Sequence, residues 1–123
     1  MRKFPVSALI LTTFLAFGAS PALAHNEIVS TTPTAGATVE AGPIRITLHL
    51  EEAPMAIAFG QGNLIAIADA ATGEQLGPAC AHIEGSDLVT TANISGAGQY
   101  KVLWRSVADD GHVASGDYLI TVE

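Results

Sequence analysis

Asp110 and His112 stand two residues apart in the run Asp109-Asp110-Gly111-His112. A carboxylate and an imidazole at that spacing, in a polar turn with a glycine, can hold one cation between them or hold each other. The second residue of interest is His25. It follows an Ala-Leu-Ala stretch at 22–24, and cleavage after Ala24 would make it the first residue of the exported chain. A histidine in first position has two nitrogens to give. Its free α-amino group and ring Nδ1 close one chelate ring, which no internal histidine can do. Adding the His112 imidazole and the Asp110 carboxylate gives three nitrogens and one oxygen, the tetragonal set that Cu(II) favours at the top of the divalent affinity series.

Residues 1–24 carry the marks of a secretory signal: Arg2 and Lys3, a mostly apolar run from Val6 to Ala19, and small residues at the cleavage positions. The run is short for a membrane span, and neither a twin-arginine pair nor a lipoprotein cysteine accompanies it. Of the 123 residues, 99 then remain as one domain over 25–123. Only Arg45, Lys101 and Arg105 oppose its 12 acids, a formal charge of −9. That balance argues against nucleic acid and against direct insertion into a membrane. The single Cys80 cannot close an internal disulfide, so the hydrophobic core must carry stability.

The elements that position these groups read as strands. Tyr100, Val102 and Trp104 alternate with Lys101, Leu103 and Arg105, and Asp117 to Val122 alternates again beyond the turn. Ile44, Ile46, Leu48 and Leu50 share one face of another strand, with Arg45, Thr47 and His49 on the other. Further strands are expected near Ile28–Ser30, over 63–68 and over 88–94. Turns are expected at 32–36, 69–73 and 95–99. Leu76 to Ile83 is less regular, and Pro78 argues against a central strand there. About seven short strands and no helical period predict a single all-β domain, an antiparallel sandwich or Greek-key barrel.

The segment Trp104-Arg105-Ser106-Val107-Ala108-Asp109-Asp110-Gly111-His112-Val113-Ala114-Ser115-Gly116, with the alternating strand behind it, resembles the C-terminal signature of the CopC family of periplasmic copper-binding proteins. The Ala-Leu-Ala-His start, Ser30-Thr31-Thr32-Pro33, Leu48-His49-Leu50-Glu51-Glu52 and Asp69-Ala70-Ala71-Thr72-Gly73 follow in the order of that family. The resemblance implies a cupredoxin-like (Ig-like) sandwich. It implies Cu(II) ligands at His25, Asp110 and His112, and a glutamate at Glu52, or Glu51 if the register slips by one, that orients a ligand imidazole. It also implies a role in copper homeostasis or resistance, with a CopD-type inner-membrane transporter as partner.

Relatives with a methionine-rich Cu(I) loop are not matched, because only Met55 remains after the signal. Other residues carry weaker alternatives. Cys80 and His82, at i and i+2, would share a strand face and offer a thiolate and an imidazole to Cu(I) or zinc. His49 reads as solvated or hydrogen-bonded, Trp104 as core and Arg105 as a surface partner. Two other functions compete with a copper carrier: a histidine-brace copper monooxygenase, and a metal-free Ig-like module.

Overall fold

The computed structural model describes residues 27–56 and 62–123. Eight strands are present among them: β1 (Ile28–Thr32), β2 (Thr38–Val39), β3 (Gly42–Leu50), β4 (Leu64–Asp69), β5 (His82–Glu84), β6 (Asp87–Ile94), β7 (Gly98–Val107) and β8 (Val113–Val122). They form two four-stranded sheets. Sheet A has the order β1-β3-β6-β5 and sheet B the order β2-β8-β7-β4.

The alternation along β3 decides the packing. Ile44, Ile46, Leu48 and Leu50 are all buried and face the second sheet, where Ile65 and Ile67 of β4, Tyr100 and Val102 of β7, and Ile120 and Val122 of β8 meet them. With a period of two, every second residue of each strand enters one shared core between the sheets. Trp104 continues the inward row of β7 and packs partly buried against that core, as its phase predicts. Its ring lies over Gly116, its partner in β8; a Cβ at Gly116 would stand 2.8 Å from Trp104 Cζ2. The Tyr100 hydroxyl donates to the Gly96 carbonyl at 2.7 Å and fastens the β6–β7 connection.

The all-β sandwich is as expected, with one difference. The two-residue β2 escapes the sequence reading, because two residues have no period, and it pairs with β8 in parallel rather than antiparallel. The stretch after the turn at 70–73 forms no regular strand before β5, as Pro78 predicts. Residues 74–80 run beside β4, with Leu76 N–H donating to Ile67 O and Cys80 N–H to Ile65 O. Only Gln75 forms a bridge, opposite Ala68. Pro78, which has no N–H to donate, interrupts this strap before the chain enters sheet A at β5.

Candidate metal centre

The β7–β8 hairpin is closed by residues 108–112. Gly111 N–H donates to Ala108 O at 2.9 Å, and Ala108 N–H donates to His112 O at 2.9 Å. Gly111 has φ of 87°, the left-handed position that ends such a turn and that a residue with a Cβ resists. Within this frame one Asp110 oxygen accepts the His112 backbone N–H at 3.0 Å, and the other lies 2.7 Å from His112 Nδ1. The two groups thus brace each other. The Asp110 carboxylate holds the ring through Nδ1, and an ion gripped by both groups would take the place of that contact. The His112 side chain is 76% exposed and that of Asp110 37%, so the pair stands at the surface.

A buried amide holds this hairpin in place. Asn63, just before β4, accepts the Val107 N–H at 2.9 Å through Oδ1 and donates to the Met55 carbonyl at 2.7 Å through Nδ2. Met55 N–H in turn donates to Val107 O at 2.8 Å. These three bonds fasten the connection after β3 to the last residue of β7, directly before the turn. The sequence reading missed Asn63, since an asparagine ahead of an apolar strand has the signature of a turn residue. Its burial depends on the arrival of Met55 and Val107 from elsewhere in the chain.

His25 and the signal over 1–24 lie outside the described residues. The described chain begins beside the same connection: Glu51 N–H donates to the Glu27 carbonyl at 3.0 Å, and Ile28 lies opposite Leu50. Leu50 and Met55 are five residues apart, at most about 17 Å of extended chain. β1 itself pairs with β3, and it is the two-residue β2 that lies beside the late strand β8. Glu51 and Glu52 are exposed, and among the described residues neither carboxylate bonds His112, whose Nδ1 is held by Asp110 instead. Glu27, Glu51, Glu52, Asp109 and Asp110 are all exposed around this end, where their summed field favours a cation.

The remaining candidates are dispersed. His49 bonds Asp87 Oδ1 through Nδ1 at 2.9 Å and Thr32 Oγ1 through Nε2 at 3.2 Å, so it is hydrogen-bonded as expected. Cys80 lies before β5 rather than within it, so the shared-face argument linking it to His82 does not hold. The break at Pro78 keeps Cys80 in the strap. Its thiol sits 3.3 Å from Thr90 Oγ1, while His82 Nε2 is 3.0 Å from Glu84 Oε1. Among the described residues no three His, Cys, Asp or Glu side chains gather closely enough to hold a metal by themselves. A complete centre at the turn therefore needs a donor from outside them.

Comparison with known proteins agrees with this architecture. The CopC domain profile matches residues 28–123. The structure of CopC from Methylosinus trichosporium OB3b superposes with a TM-score of 0.69 at 26% identity, covering 80% of this chain and 94% of that one. PcoC, a methionine-rich copper resistance protein from Escherichia coli, superposes with a TM-score of 0.61 at 25% identity, covering 81% of this chain and all of that one. This chain has two methionines, one of them Met1. No curated protein sequence matches it. With the profile extending from the start of β1 to the last residue, this chain belongs to the CopC family.

Proposed function

We propose that this protein is a periplasmic copper carrier or buffer that holds one Cu(II) ion through the His25 amino group and ring, Asp110 and His112. Family membership and the likeness to a copper resistance protein support the link to copper. The observation that carries the Cu(II) reading is the closeness of Asp110 and His112, 2.7 Å between carboxylate and ring, on an exposed acidic end beside the first described residues, where one ion can replace their mutual contact. Imidazole, amine and carboxylate donors favour the oxidised ion, and with a single thioether at Met55 the chain offers little to Cu(I). In this reading the protein stores copper and hands it on, to a CopD-type transporter in the inner membrane, without catalysing a reaction.

The test compares Cu(II) affinity of the chain beginning at His25 with a chain carrying one extra residue before it. Extension removes the amino-imidazole chelate and leaves every side chain in place. A loss of at least tenfold is expected, and equal affinities would refute the site. Affinity should also fall between pH 7.5 and pH 5. The metal then competes with protons for an imidazole and an α-amine, whose reference pKa values are about 6.5 and about 7.7–8.0.

A further inference from the structure

The outward face of sheet B is unlike the rest of the surface that the described residues form. Lys101, Leu103 and Arg105 point outward from β7, and Val113, Asp117 and Leu119 from β8 beside them. Three of the four large apolar side chains that stand exposed among the described residues, Leu103 at 37%, Leu119 at 40% and Val113 at 53%, belong to this one face. Two of the three cations of the exported chain flank Leu103, and among the described residues neither pairs with a carboxylate; the third, Arg45, is paired with Glu84 on the other sheet. Asp117 lies directly across from Leu103, diagonal to both cations and bonded to neither. A recess of about 290 Å³ opens beside Lys101 and Leu103, roofed by the loop after β4 at Gly73 and Gln75.

We infer that this face docks an extended acidic segment of another protein, one that seats an apolar side chain by Leu103 between two carboxylates that reach Lys101 and Arg105. The spacing is specific. Residues i and i+4 of a strand stand about 13–14 Å apart on one face with i+2 between them, so the complement is acid-x-apolar-x-acid. An apolar anchor entering a recess, with charged pairs at its rim, is the pattern of an interface hot spot. A second copy lacks the complement, because no two acids in this sequence are spaced by four. An anionic membrane fits poorly too: two cations contribute about 1 kcal/mol each at such a surface, where lipid recognition rests on clusters of about four to eight.

The probe is the peptide Thr-Glu-Thr-Leu-Thr-Glu-Thr with blocked ends, titrated into the isotope-labelled, copper-free exported chain and followed by amide chemical shifts. Saturable changes centred on Lys101, Leu103, Arg105 and Leu119 are expected. The same peptide with lysine for glutamate should produce none. The double variant K101E/R105E should lose at least tenfold in affinity for the glutamate peptide and gain binding of the lysine peptide. Its Cu(II) uptake should be unchanged, which separates this surface from the copper reading. No saturable shift, shifts away from this face, or equal response to both peptides would overturn the proposal. So would concentration-dependent dimerisation abolished by Leu119→Ser, which would make the occupant a second copy, or retention on phosphatidylglycerol vesicles, which would make it a lipid surface.

Discussion

The two outer faces of this sandwich are built from the same alternation and come out as opposites. On sheet A, Glu84 takes both Arg45, two strands away, and His82, on its own strand, and Asp87 takes His49 from the neighbouring strand, so each cationic or basic group has a carboxylate. Val89 and Thr47, which also point outward on this sheet, are buried. On sheet B the equivalent positions hold exposed leucines, a valine and cations that pair with no carboxylate among the described residues. A sheet face in contact only with water gains from covering its apolar atoms with its own polar side chains. A face that leaves leucine beside unpaired charge is suited to a partner that supplies both missing halves.

Several substitutions would sharpen or break that contrast. The largest effect should come from neither face. Asn63→Ala removes two side-chain hydrogen bonds and strands the buried Val107 N–H, costing about 2–4 kcal/mol in urea unfolding. A loss well under 1 kcal/mol would mean that the exposed polar ladder of sheet A, rather than this buried amide, holds the turn end together. Next is Gly116→Ala, on the inner side of sheet B. The added methyl meets the Trp104 ring at 2.8 Å, and overpacking of this kind costs about 1–3 kcal/mol.

Tyr118 tests the inner side of the same sheet with the opposite sign. Its hydroxyl is buried without a hydrogen bond of standard geometry, although Thr31 lies close enough to offset part of that. Burial pushes its ionisation above the ordinary tyrosine range. Tyr118→Phe should leave stability unchanged or raise it by up to about 1 kcal/mol. The wild-type hydroxyl contributes its full share below the unfolded value of about 10 and loses it as pH climbs through the raised folded value. The phenylalanine variant should flatten that alkaline decline in thermal melts.

Smaller still is the outer face of sheet B. Leu103→Ser with Leu119→Ser should shift stability by no more than about 0.5 kcal/mol each. A larger loss would show these leucines to be structural and close the contrast between the faces. On sheet A, Glu84→Gln should change melting at neutral pH only slightly and in a salt-dependent way, because the pair is exposed at the surface. The His82 hydrogen bond, with Arg45 adding to it, lowers the Glu84 pKa. A depressed carboxylate stabilises the fold above its unfolded pKa, and that contribution is lost as pH falls through the lower folded value. The acid limb of the melting curve should therefore be shallower in Glu84→Gln.

Much of this was legible in the chain. Two residues per repeat gave the inward row of β3 and the paired long strands β7 and β8, because burial of alternate side chains is a property of consecutive residues. The same local logic located the turn at 108–112 and made Asp110 and His112 neighbours, since four consecutive polar or glycine residues have few other conformations. What it misplaced has one common cause. β2 and the strap through Cys80 are each decided by a group distant in sequence.

The order of residues alone determined that strands would form, which sides would be buried and where a carboxylate would meet an imidazole, all consequences of spacing along a few bonds. Only tertiary structure decided that Asn63 would be sealed between Met55 and Val107, and that one sheet would satisfy its charges while the other left them open. Pairings of that kind form between strands far apart in the chain, and their energy depends on which edges meet once the two sheets have closed on a common core.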